Sequence, residues 1–314
     1  MQKTNSLAGI WVAAMTPFAA DGKVDNGRLI AYGKRLLDHG VTGLSFFGTT
    51  GEGTALSLKE RRGVLEAVVK AGIPAAKIIP GTAATDLDTS LEVARHAAGL
   101  GCPALLVLPP FFMKGVSQEG VFAHYAGLAE GLKSFAKAPR IMLYNIPDLS
   151  GVRIAPATLR RLADAFPTQI VGVKDSSCSL DSAKAYLAAG PDLDILVGDE
   201  HLLDFMKANG GAGLLCGMVN VIPEIIVGAW NERDAARRRT LQGKIDAAIA
   251  ALDGHSIIPA IKAAYASLSG EDGWRATRAP LEAIDAKLAA EIARNIAAAG
   301  TGAAVKPKLA KAAV

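Results

Sequence analysis

The stretch IVGVKDSS, residues 170–177, reads as a strand that ends in chemistry. Its first four residues form a continuous apolar run, the pattern of a parallel strand covered on both faces. Lys174 follows at once. An ammonium at the end of a buried strand is disfavoured by desolvation, and an amine released from its charge is a carbonyl nucleophile. The commonplace alternative is a lysine that pairs with Asp175, or one that lays its stem along the strand and leaves for solvent. What surrounds the strand decides between them.

Outward from that stretch, short β-like runs recur at 10–15, 43–47, 78–80, 104–108, 141–144, 195–197 and 213–216, which makes eight strands in all. Helical patterns fill the gaps at 57–71, 85–100, 117–132, 156–165, 180–189 and 201–209. Ser57 followed three residues later by Glu60 has the form of a capping box. Strands alternating with helices specify a parallel sheet, and eight such units favour a closed α/β (β/α)8 TIM barrel over an open doubly wound sheet. Beyond residue 223 the pattern is helix after helix, with breaks at 253–256 and 269–274. The expected organisation is a barrel over 1–230, a C-terminal helical extension over 231–299, and a mobile Ala/Lys/Gly tail over 300–314.

Bulk properties narrow the function. The 314 residues are half apolar and one fifth charged, with a net charge of +4. Lys306, Lys308 and Lys311 lie in the tail with no acid among them, leaving the body near +1. A nearly neutral body without an aromatic-interleaved basic stripe gives nucleic acid no electrostatic purchase, so the expected partner is a small molecule. Cys102, Cys178 and Cys216 are odd in number and widely spaced, as reduced thiols of a cytoplasmic protein are. The N-terminal residues lack a long apolar run of the signal-peptide type. No stretch of about 18 breaker-free apolar residues suggests a membrane span.

In a barrel of this kind the chemistry sits where strands run into their following loops. Four ends stand out: GTTGEG (48–53), YNIP (144–147), GVKDSS (172–177) and GDE (198–200). Tyr144 ends the strand next to that of Lys174, where a phenol can pass protons to a carbinolamine; its ordinary reading is a buried tyrosine with a satisfied hydroxyl. The amides of Thr49 and Thr50 can cradle a carboxylate, and their hydroxyls can hydrogen-bond a tyrosine, although a Gly-rich turn alone is common punctuation. Asp199, Glu200 and His201 invite a metal-dependent reading. The histidines, however, show neither HExxH-like nor Cys-pair spacing, so no metal site is expected. Neither a Walker A sequence nor a placed GxGxxG is present.

GTTGE, YNIPxxSG and GVKDSS, in that order, resemble the motifs of the dihydrodipicolinate synthase and N-acetylneuraminate lyase superfamily, and the likeness covers almost the whole chain. TPF (16–18) and GGAGLL (210–215) are also similar. The resemblance implies a cofactor-free class I aldolase or lyase, assembled as a homotetramer, in which Lys174 condenses with pyruvate or a pyruvate-derived 2-oxo acid. It implies Tyr144 as the proton-transfer phenol with Thr49 as its hydroxyl partner, and substrate contacts at Thr50, Gly198, Asp199 and Leu215.

Two departures bear on the substrate. Where synthases of the superfamily carry a relay tyrosine after the fourth strand this chain reads PPFFM, with Phe112, and phenylalanine relays no proton. Where synthases carry an arginine two residues past the proline of YNIP, this chain has Leu149, which removes a bidentate carboxylate clamp. Both favour a lyase or aldolase of the 2-keto-3-deoxy sugar acid or 4-hydroxy-2-oxoglutarate type. Arg153 and Lys114 are candidate anion contacts. The alternatives are 4-hydroxy-tetrahydrodipicolinate synthase, N-acetylneuraminate lyase, although GDE lacks the insertion expected of sialic acid lyases, or a non-catalytic barrel that binds 2-oxo acids.

Overall fold

In the computed structural model, which describes residues 6–301, one parallel sheet wraps into a barrel. Its strands are β1 (Gly9–Ala13), β2 (Gly43–Ser45), β3 (Ala104–Val107), β4 (Arg140–Asn145), β5 (Ile170–Asp175), β6 (Asp194–Val197) and β7 (Gly213–Cys216), in the order β2-β1-β7-β6-β5-β4-β3. The expected third run lies between the two ends of the sheet. It is a stave rather than a regular strand, held by single bridges from Ile78 to Leu44 and from Gly81 to Leu106. The Ile79 and Gly81 amides donate to Leu44 and Phe46 on one side, and on the other Leu106 donates to Pro80 and Thr82 to Leu106. Proline has no N–H to offer a ladder. Pro80 therefore interrupts the pairing toward β3, and the eight expected strands become seven plus one irregular stave that still closes the (β/α)8 barrel.

The expected helices form, among them Leu58–Lys70, which opens with the capping box: the Ser57 hydroxyl accepts from the Glu60 amide and the Glu60 carboxylate accepts from the Ser57 amide. A first helix, Asn26–Asp38, capped by Asp25, was not anticipated. Apolar side chains sort into two clusters. Trp11, Ala13, Leu106, Met142, Tyr144, Leu196 and Leu215 fill the barrel interior, while Ile10, Val12, Leu105, Leu143, Val173 and Leu214 face the helices. Each fully buried large apolar side chain contributes about 1.5–3 kcal/mol.

One irregularity positions the site. Pairing between β4 and β5 runs from Ile141 opposite Ile170 to Met142 opposite Gly172, so Val171 is an extra residue. Ile170 and Val173 pack outward, whereas Val171 packs inward. Strict alternation from an outward Ile170 would turn Lys174 toward the helices. The bulge shifts the phase by one residue and pairs Lys174 with the inward-facing Tyr144. Gly172 is required beside it, because a Cβ there would fall 1.9 Å from the Asp194 carbonyl oxygen.

After β7 come the helices Pro223–Asn231, Ala235–Ala250, Ile257–Ser269 and Ala286–Ala298. Ile257–Ser269 is buried along most of its length, with Lys262 fully enclosed at its centre. Lys262 Nζ donates to Glu52 Oε1 at 2.5 Å and to the Thr16 carbonyl at 2.9 Å. Glu52 Oε2 accepts the Arg278 amide at 2.9 Å. The C-terminal helices are thereby anchored to the GTTGEG loop at the barrel mouth. Most of the tail expected to be mobile, residues 302–314, lies outside the described residues.

Two substitutions test this framework by urea denaturation. Gly172→Ala forces a methyl group into a backbone carbonyl and should cost at least about 1–3 kcal/mol. Lys262→Met should cost about 3–5 kcal/mol, because it leaves the Glu52 carboxylate buried without its cation. Adding Glu52→Gln should recover part of that loss, so that the two changes together cost less than the sum of each alone.

Candidate active site

Tyr144 and Lys174 are cross-strand neighbours at the upper ends of β4 and β5. Both side chains are almost completely enclosed, at 2% and 4% exposure. The amine lies over the phenol face, 4.2 Å from the ring centroid, a cation–π geometry. Asp175 does not pair with it. Its Oδ1 accepts from Asn145 Nδ2 at 2.7 Å and from the Ser177 amide at 3.1 Å, and its Oδ2 from the Ser177 hydroxyl at 3.0 Å. Asn145 in turn accepts the Ile154 amide at 3.0 Å. Lys174 forms no ion pair among the described residues, so neither commonplace reading of it, a paired lysine or a solvent-bound one, holds.

Above this pair the chain leaves β2 through Phe47, whose φ of 62° lies in the left-handed region that bulky residues avoid. The turn beyond is tightened by amides of Glu52 and Gly53 donating to the carbonyls of Thr49 and Gly48 at 3.0 and 3.1 Å. Thr16 Oγ1 donates to the Gly51 carbonyl at 2.6 Å, so the TPF segment braces the turn. The result brings Thr49 Oγ1 to 3.0 Å from the Tyr144 hydroxyl. Thr50 lies toward Gly217, past the end of β7. Among the described residues the amides of Thr49 and Thr50 have no hydrogen-bond partner.

The remaining expected contacts divide. Gly198 sits against the lysine: a Cβ there would stand 3.1 Å from Lys174 Cε and 2.0 Å from Ser176 Oγ, so the bare backbone leaves room for the lysine stem. Leu215 is wholly buried in the barrel interior with Tyr144, beneath the mouth. Asp199 caps the turn after it, accepting from the His201 amide at 3.0 Å and pairing with the His201 ring at 2.8 Å. Glu200 turns inward to accept the Met218 amide at 2.5 Å, and burial raises its pKa. Asp199 and His201 thus meet while Glu200 turns away from them, and among the described residues no group of three or more His, Cys, Asp or Glu is placed to hold a metal ion.

Phe112 faces solvent at 78% exposure. Leu149, in the short helix Pro147–Ser150, is 64% exposed. It borders a cavity of about 350 Å³ that opens beside Thr49. Lys114 and Arg153 are both exposed, and the Lys114 stem lies against Gly151. Sequence reasoning passed over Asn145, Glu52 and Lys262, which hold the site's frame. The signal for Lys262 was present: a single lysine inside IIPAIKAAYASL, apolar on every helical face.

Residues 6–299 match the dihydrodipicolinate synthetase family. The chain is 35% identical over 240 residues to a 4-hydroxy-tetrahydrodipicolinate synthase of Methanopyrus kandleri, covering 75% of this chain and 78% of that one. It is 35% identical over 218 residues to a DapA-like lyase of Chloroflexus aurantiacus, covering 69% and 72% of the two chains. The crystal structure of a dihydrodipicolinate synthase from Agrobacterium tumefaciens superposes with a TM-score of 0.85 at 31% identity, over 92% of this chain and 98% of that one. Sequence and superposition agree, and the chain belongs to the dihydrodipicolinate synthetase family as a (β/α)8 class I lyase.

Proposed function

We propose that Lys174 forms a Schiff base with the 2-oxo carbon of pyruvate or a pyruvate-derived 2-oxo acid, and that the enzyme uses it to make or break the bond at C3. One observation carries the reading: an enclosed amine without a carboxylate partner lies 4.2 Å from the ring of a tyrosine whose hydroxyl is 3.0 Å from Thr49. In this reading Nζ adds to the 2-oxo carbon, and Tyr144 delivers the proton with which the carbinolamine hydroxyl leaves as water. Thr49 holds the phenol in place and shares its proton. The iminium nitrogen then withdraws the electron pair of the adjacent bond, either C3–H on the way to an enamine or C3–C4 in cleavage. The unpaired amides of Thr49 and Thr50 receive the substrate carboxylate, which fixes the 2-oxo carbon over the amine.

Leu149 and the outward Phe112 favour the lyase or aldolase side of the family, since one offers no carboxylate clamp and the other no relay hydroxyl. The 35% identity to a 4-hydroxy-tetrahydrodipicolinate synthase favours synthesis as the second reading. Assembly as a homotetramer is part of the proposal, supported by the exposed Phe112 and Met113, apolar surface that association would cover. So is a cytoplasmic location, supported by the free thiols of Cys102, Cys178 and Cys216. Among the described residues no helix is long and apolar enough to cross a membrane.

Borohydride reduction with pyruvate should add a covalent mass to the wild-type chain and none to Lys174→Ala; equal labelling of both would remove Lys174 from the role. Tyr144→Phe should keep pyruvate binding and lower kcat by about 10²–10⁴-fold, the range of a lost general acid–base group. Thr49→Val should lose on the order of tenfold, as expected for one hydrogen bond that orients the phenol. Light scattering should return the mass of four 32.4 kDa chains; a monomer would contradict the assembly.

A further inference from the structure

A cavity of about 350 Å³ opens beside Thr49, whose hydroxyl meets Tyr144, so it adjoins the Lys174–Tyr144 pair through that residue. Its volume is near the lower end of the roughly 300–1,000 Å³ typical of small-ligand sites. Leu108, Phe111, Ile146, Leu149, Ile258 and Leu281 are the large aliphatic and aromatic side chains that, with Phe47, line it. Two charged residues also border it, and neither is available to a ligand. Glu52 spends one carboxylate oxygen on Lys262 and the other on the Arg278 amide. The Arg278 guanidinium donates to the Ala55 carbonyl at 2.9 Å, to the Gly22 carbonyl at 2.7 Å and to Glu60 Oε1 at 2.5 Å. That contact holds the Glu60 carboxyl down at about 2, so at neutral pH the arginine's charge is already matched. The Ser150 hydroxyl is taken up by the Val152 backbone at 2.9 and 3.1 Å. Thr49 is occupied by Tyr144, which leaves Thr54 as the one hydroxyl of this wall without a partner among the described residues.

From this wall we infer that the part of the substrate beyond the bond-forming carbon is apolar: the second reactant is an aliphatic or aryl aldehyde carrying neither a carboxylate nor a polyol chain. The inference rests on the Schiff-base reading and departs from the 2-keto-3-deoxy sugar acid and 4-hydroxy-2-oxoglutarate types expected from the sequence, whose chains carry a polyol or a second carboxylate. A second carboxylate would meet no unpaired cation among the residues that line the cavity, and a string of hydroxyls would exchange water for leucine and phenylalanine, leaving polar groups unpaired. An alkyl or aryl group buries its surface there at no such cost. In the condensation, C3 of the enamine bonds to the aldehyde carbon. The carbonyl π pair moves to oxygen, which takes a proton from Tyr144 and becomes a hydroxyl. Water then hydrolyses the iminium, releasing the 4-hydroxy-2-oxo acid and restoring the Lys174 amine. Cleavage runs the same steps backward.

The test offers pyruvate to the wild-type enzyme with benzaldehyde, hexanal, glyceraldehyde or succinic semialdehyde, and measures product by mass spectrometry. Borohydride trapping of pyruvate is run on the same preparation. The expected result is trapping together with a kcat/KM at least about tenfold higher for benzaldehyde or hexanal than for the polar aldehydes, the scale on which an apolar pocket discriminates. Leu149→Lys, a change at an exposed position, should shift the ratio toward succinic semialdehyde by about tenfold or more. Trapping with equal or better turnover of glyceraldehyde or succinic semialdehyde overturns the inference and leaves the Schiff base standing, as does trapping with no aldehyde turned over. Absence of trapping in the wild type overturns the Schiff-base reading, and the inference falls with it.

Discussion

The site depends on a single constraint of phase: Lys174 and Tyr144 must point into the same barrel interior from adjacent strands. Side chains alternate along a strand, so a register error of one residue would send the amine to the helix layer. The extra residue at Val171 prevents that, and Gly172 allows β5 to pass close to Asp194 while it does so. Enclosing an amine without an anionic partner costs folding free energy. The centre of the Tyr144 ring lies 4.2 Å from the amine, and the apolar layers on both sides of the sheet offset that cost. Asp175 next door is satisfied by three hydrogen bonds and so leaves the amine without an ion-pair partner.

A second layer of structure fixes the opposite wall. Thr49 can meet the phenol because its turn is fastened from three directions: by Thr16 to Gly51, by Lys262 to Glu52, and by the Arg278 amide to the same carboxylate. Two of these fastenings come from beyond residue 250, which makes the C-terminal helices part of the mouth rather than an appendage. Because the ion pair is fully enclosed, bulk salt screens it little. Its value lies in geometry, since a buried pair adds less net stability than its Coulomb attraction suggests.

How much of this was legible depended on whether the deciding interaction was local. Helix starts were readable because Ser57 and Glu60 sit three apart in the chain and satisfy each other. Strands were readable as apolar runs, and Lys174 as a charged residue immediately after one. The bulge was not, because IVGV offers two inward phases and only the partner strand selects between them. Pro80 did carry a warning: a proline inside a run of three signals broken pairing, and that stave is the one that failed to form a regular ladder. Glu52 and Lys262 are 210 positions apart, and nothing in either neighbourhood names the other. The first helix left a signal, Asp25 at its cap, that went unused.

The parts of the mouth differ in how firmly they are held, and that difference bears on chemistry. Lys174, Tyr144 and Thr49 are set by strands and by a turn fastened from three directions, so the geometry of amine, phenol and hydroxyl is rigid. Leu149 and Phe111, by contrast, sit on short connecting segments with side chains wholly or partly open to solvent. A change at the rim alters which chain can lie beside Thr49 without moving the amine, whereas a change at Gly172 or Glu52 reaches the amine or its phenol whatever the substrate. Under the proposed function, reaction and selectivity are therefore separable in this barrel. The apolar wall joins the two, since Leu149 and Phe111 stand at the rim while Ile146 packs into the barrel interior with Tyr144.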